Sequence, residues 1–163
     1  MSRSFRRLRP PYAVALLMVL AACGLPADVR KAGEALPARF AAAEGEIARR
    51  EQAYADYARS PAYAVDSVYA GRERWADAFA EARRELAGVR AVYGSDLLPL
   101  LVADEMNARW TVRTQVARID SLVTVAVGVA DRPFARRDYL ATVRRDGLEA
   151  RGEEWSAEDE EAF

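Results

Sequence analysis

The stretch WADAFAEARRELAGVRAVY, residues 75–93, decides the fold. At 100° per residue, Trp75, Phe79, Ala82, Leu86, Val89 and Tyr93 fall within about 40° of one direction, while Asp77 and Arg84 point the other way. Strand alternation would scatter the same residues over two faces, so the stretch reads as an amphipathic helix. Gly94 is its expected C-terminal stop.

The pattern extends in both directions. Upstream, Ser60-Pro61 is suited to a helix start, with Ser60 capping and Pro61 in the first turn. Before it, Ala38 to Arg59 is rich in Ala, Glu and Arg and places Leu36, Phe40, Ala43, Ile47, Tyr54 and Ala58 on one face. Glu44 and Glu51 intrude on that face and thin the seam. Downstream, Ser95 or Asp96 is the expected cap of a third helix, with Pro99 in its first turn. Leu98, Val102, Glu105, Arg109, Val112, Val116, Ile119, Val123, Val127 and Ala130 share its face, and Pro133 closes it. The β-branched run LVTVAVGV, residues 122–129, continues this stripe without a turn signal and is kept as helix.

These segments predict an all-α domain over 38–152, an elongated antiparallel bundle of three long helices. The second and third would each run roughly 33 residues, about 50 Å at 1.5 Å per residue. A fourth, shorter segment from Phe134 to about Arg151 is helix-compatible but weakened by Gly147 and Gly152. The last eleven residues, 153–163, carry six acids and no base, and read as an acidic tail or as the start of a further helix.

Composition narrows the chemistry. The 163 residues are 52% apolar, enough for one core, and 30% charged in near balance, which argues against a nucleic-acid binder. There is no histidine, which removes imidazole acid–base chemistry, Ser-His-Asp and Cys-His nucleophiles, and imidazole metal sites. A single cysteine excludes an internal disulfide or a thiolate zinc cage. Basic charge is almost wholly arginine, with Lys31 the one lysine.

The N-terminus has its own logic. Residues 1–12 carry Arg3, Arg6, Arg7 and Arg9 without an acid, and 13–22, AVALLMVLAA, are uniformly apolar. A charged segment followed by a run half as long as the roughly 20 residues of a membrane span is the form of an export signal. It ends in Leu20-Ala21-Ala22-Cys23, which resembles the lipobox of bacterial lipoproteins. The resemblance covers only these first residues. It implies cleavage between Ala22 and Cys23, a diacylglyceryl group on the Cys23 sulfur and acylation of the new amine. Residues 1–22 would then be a removed signal peptide and 23–37, with Gly24, Pro26, Gly33 and Pro37, a tether. Two or three chains, each contributing about 0.8 kcal/mol per buried CH₂, would hold such a protein stably. Position 24 is Gly and not the Asp of the inner-membrane retention pattern, which implies the outer membrane with the body in the periplasm, or the outer face of the plasma membrane where no outer membrane exists. Four arginines leave with the signal, so 20 basic residues face 25 acids and the net charge falls from −1 to −5.

Several constellations admit a functional reading beside a structural one. Glu73, Asp77, Glu81 and Glu85 form a four-spaced carboxylate row, but it lies away from the apolar stripe and lacks the Glu-x-x-His of bundle metal sites, so a solvated face is expected. Glu105 and Arg109, four apart within the third helix's apolar stripe, are expected as a buried ion pair that sets register or lines a ligand pocket. Tyr54, Tyr57, Tyr63, Tyr69, Trp75 and Trp110 are either packing residues or interaction anchors, with Trp110 the one expected outside. No metal, cofactor or catalytic group is expected beyond the lipid on Cys23. The reading is a non-enzymatic, lipid-anchored helical protein that meets another envelope protein. Its alternative is a helical module binding a small or lipidic ligand, and a carboxylate-dependent hydrolase stands last.

Overall fold

The structure is a computed structural model and describes residues 24–61, 63 and 74–152. The described residues are all-α: α1 Ala27–Glu34, α2 Leu36–Tyr57, α3 Trp75–Val92, a π-turn Tyr93–Leu97, α4 Leu98–Ala103, a 3-10 turn Met106–Ala108, α5 Arg109–Val129 and α6 Arg132–Glu149.

The core lies between α2, α3 and α5. Each contributes the stripe that its spacing implies: Phe40, Ala43 and Ile47 from α2, Phe79, Ala82, Leu86 and Val89 from α3, and Val112, Ile119, Val123 and Ala126 from α5. Val123 and Ala126, from the run that β-propensity would make a strand, are wholly buried in a helix. Tertiary burial of one helical face overrides a local preference worth tenths of a kcal/mol per residue.

Ion pairs between helices give their relative directions. Glu51 bridges to Arg83 and Glu44 to Arg90, so α2 and α3 run in opposite senses. Arg39 reaches Asp120 at 3.0 Å and Arg50 reaches Asp131 at 2.5 Å, so α2 and α5 run in the same sense. The two glutamates that interrupt the α2 stripe are thus the residues that tie α2 to α3 across the edge of the core.

The expected helix boundaries are corrected at several points. The helix that begins at Trp75 does not stop at Gly94. It passes through the π-turn and continues to Ala103, 29 residues from Trp75. Gly94 does not take the positive φ that a terminating glycine uses; among the described glycines only Gly152 does. Leu97, next on the α3 stripe after Tyr93, is fully buried, whereas Leu98 and Val102, expected inside a third helix, are 42% and 77% exposed. Pro99, which has no N–H to continue an α-helical ladder, follows the π-turn after Leu98. Ser95 and Asp96 lie within that turn, bonded to each other at 2.6 Å, and neither caps a helix.

The turn lies ten residues further on, at Asp104, whose φ of 51° is left-handed, followed by extended Glu105. The third helix therefore starts at Arg109 and the two long helices are unequal. Pro133, expected to end it, stands buried in the first turn of α6. At the other end of α3, Arg74 is extended, so α3 is not continuous with the helical residue Pro61. The Tyr63 N–H does lie 3.4 Å from the Ser60 Oγ, as a cap at Ser60 requires.

Residues 24–37 are not a bare tether. Leu25, Val29, Gly33 and Leu36 are buried, and α1 packs on α5 and α4. α6 lies against α3 with Pro133 its only buried residue, and Tyr139 and Val143 stay exposed.

Candidate functional site

Ala22 and Cys23 lie outside the described residues, as do Tyr69, Glu73 and the acidic segment 153–163. The first described residue, Gly24, joins directly to Cys23 and enters a polar latch. Asp104 accepts the Leu25 N–H at 2.9 Å, and Arg30 Nη2 donates to both of its carboxylate oxygens at 2.5 Å. A Cβ at Gly24 would stand 2.9 Å from Asp104 Oδ2 and 3.2 Å from Arg30 Nη2, so the latch closes over a residue without a side chain. One turn of chain further, Gly33 admits Leu101 so closely that a Cβ there would meet its Cδ2 at 2.7 Å.

The left-handed turn at Asp104 aims this carboxylate back at the N-terminal segment. Asp is among the few residues that adopt it at modest cost. Its N–H still closes the last turn of α4 on the Leu100 carbonyl at 3.2 Å. The Arg30 Nε is buried without a hydrogen-bond partner, so the guanidinium is committed to Asp104 by one edge only.

Next to the latch, Pro26, Val29, Arg109, Trp110 and Arg113 line a cleft of about 210 Å³. Trp110 is 63% exposed, as its place off the stripe implies, with the Arg109 and Arg113 guanidinium carbons 5.8 and 5.6 Å from its ring. Arg113 also donates to Asp28 at 3.0 Å. The expected buried Glu105–Arg109 pair does not form: the helix breaks at Asp104, Glu105 is extended and exposed, a 3-10 turn follows, and Arg109 is exposed at the start of α5. Arg109 joins the cleft and Glu105 does not.

Tyr54 is a packing residue, buried at the meeting of α2, α3 and α6, with Tyr57, Trp75 and Phe134 rings 5.3 to 5.5 Å away. Tyr57 is half-buried beside it and stacks edge-on with Tyr63 at 5.7 Å, under the Arg137 guanidinium. A shallow hollow of about 380 Å³ near this end is lined by Arg49, Arg50, Ala53, Asp131 and Phe134.

In the carboxylate row, Asp77 and Glu85 are exposed and Glu81 accepts from Arg132 at 3.0 Å. Among the described residues no three Asp, Glu, Cys or His side chains converge as metal ligands would. Among the described residues two titrations are displaced. Arg49, then Arg50, donate to the Glu46 carboxylate and hold it below its ordinary range, and the Glu51 carboxylate raises the Arg83 guanidinium further above its own.

The latch was not legible in the sequence: its partners are 74 residues apart, and neither spacing nor periodicity relates them. What the arrangement offers chemically is a fixed chain entry beside exposed arginines and an exposed indole. Comparison with family models, curated proteins and solved structures returns no match.

Proposed function

We propose that this chain is a lipoprotein of the bacterial cell envelope, acylated on Cys23 after cleavage behind Ala22, held in the outer membrane with its helical body in the periplasm, and acting there by binding another envelope protein. The observation that carries the reading is Leu20-Ala21-Ala22-Cys23 placed directly after an arginine-rich segment and a short apolar run. In this reading α2, α3 and α5 act as an elongated antiparallel bundle that gives the anchored protein reach. The exposed Tyr139 and Val143 of α6 and Val125 of α5 support a protein partner, since these large apolar side chains stay uncovered among the described residues.

The helix from Trp75 to Ala103 is long and apolar enough to cross a membrane by length and composition, with a window of mean hydropathy 1.4. Its apolar face is turned to α2 and α5, and Arg83 and Arg90 are paired across the core edge. Only 17% of the apolar window is buried, so the preference for an anchor over a span rests on the Cys23 sequence.

The cleft beside Trp110 favours a second reading, a module that takes a small anionic or lipidic ligand between Arg109 and Arg113. The first reading is tested by growing cells with labelled palmitate. The wild-type chain is expected to take up label and Cys23→Ser to take up none; equal labelling of the two would overturn the anchor.

A further inference from the structure

We propose that the corner between α4 and α5 is a membrane-docking face, seated on the phospholipid bilayer into which the Cys23 acyl chains insert. The proposal rests on the anchoring reading above and adds to it an orientation and a second contact.

Three observations meet at this corner. Gly24 is held against Asp104 and Arg30 and is bonded to Cys23, and consecutive Cα atoms are about 3.8 Å apart, so a lipid on the Cys23 sulfur would be attached next to this corner. The same corner carries exposed apolar side chains on both sides of Asp104: Leu98 at 42% and Val102 at 77% on α4, and Trp110 at 63% on α5. Arg109 and Arg113 flank the Trp110 ring, Arg113 being paired with Asp28 as well, and long arginine stems with charged tips suit the level of lipid phosphates, where tryptophan also concentrates. Exposed apolar groups, an indole and phosphate-seeking guanidinium groups lie where the lipid would be attached. A partner protein seated here would have to compete with the bilayer for the same space.

The geometry also names the end that stays out of the membrane. Trp75 opens the 29-residue run that ends at Ala103, so it lies roughly 40 Å from the corner at 1.5 Å per residue. Its ring is packed on Tyr54 and Phe79.

The test uses the full-length protein, matured in cells, carrying Trp155→Phe and reconstituted into phosphatidylethanolamine–phosphatidylglycerol vesicles with brominated acyl chains. Mass analysis of the N-terminal peptide reports acylation of Cys23 separately from docking. Bromolipid is expected to quench the fluorescence, and Trp110→Phe on the same background to lose most of that quenching, because Trp75 is out of reach. Val102→Asp, at a position too exposed to disturb folding, is expected to reduce quenching of Trp110 with the acyl mass unchanged. Acylated protein whose fluorescence bromolipid leaves intact overturns the docking face alone. Quenching that survives Trp110→Phe places Trp75 at the bilayer and overturns the orientation. A peptide without acyl mass overturns the anchor and this proposal with it.

Discussion

Asp104 gathers several features of the local architecture: a left-handed backbone, the α4 terminus, an N–H from Leu25 and both contacts from Arg30. Charge-assisted hydrogen bonds contribute about 1.5–3 kcal/mol when sheltered and less when water competes. Here the paired side chains are 42% and 38% exposed, which puts the ion pair at the low end. Asp104→Ala also leaves a Cβ in the left-handed region without a polar group to compensate. Its expected cost is therefore about 1–3 kcal/mol in chemical denaturation. Asp104→Asn retains an acceptor for Leu25 and tolerates the turn, so it should cost distinctly less; equal losses would show that the charge is the whole effect. A second residue-scale prediction concerns Glu46. Its folded-state pKa is lowered, so its pairing contributes above the ordinary carboxylate value and is lost as pH falls through the lowered one. Carboxyl NMR should find its midpoint below that of an unpaired glutamate, and Arg49→Ala should raise it again while Arg50 still holds it down.

Among the helices, two glycines separate propensity from packing. Gly88 in α3 has nothing within 4 Å of a Cβ position, whereas a Cβ at Gly33 in α1 would press on Leu101. Alanine in an open helix interior is favoured over glycine by roughly 0.8–1 kcal/mol. Gly88→Ala should raise the unfolding free energy from chemical denaturation by that amount, and Gly33→Ala should gain nothing, because crowding a packed contact costs about as much or more. A gain at Gly33 equal to that at Gly88 would mean that α1 is not held against α4. The stripes of α2, α3 and α5 were legible because burial of one face imposes a 3.6-residue period on a single sequence. The corner was not. Gly94 carries the usual stop signal but Leu97 and Leu100 continue the apolar stripe past it, and the stripe wins. Extending the period of the 75–93 stretch by one more turn would have found buried Leu97 and cast doubt on Leu98. The break at Asp104 depends on Arg30 and Leu25 arriving from the other end of the chain, a relation that no local pattern contains.

For the whole molecule, the all-α class was readable from periodicity, while helix lengths and the place of the corner were set by contacts between distant segments. The Glu105–Arg109 expectation failed with them, since i,i+4 neighbours share a face only while the helix is unbroken. The candidate site was half legible. An exposed Trp110 followed from its angle to the stripe, but its proximity to Pro26 and Val29 required α1 to fold back onto α5. The inter-helix pairs Glu44–Arg90, Glu51–Arg83, Arg39–Asp120, Arg50–Asp131 and Glu81–Arg132 carry a further consequence. Every cation among them is a guanidinium and the chain has no imidazole, the side chain whose ordinary titration falls between about pH 5 and pH 8. The melting temperature should therefore stay nearly level across that interval, and a slope of several degrees would reveal a titrating group elsewhere. A body so assembled is deaf to the swings of acidity that a histidine-bearing fold would register, and its shape is the same in mildly sour and mildly alkaline surroundings.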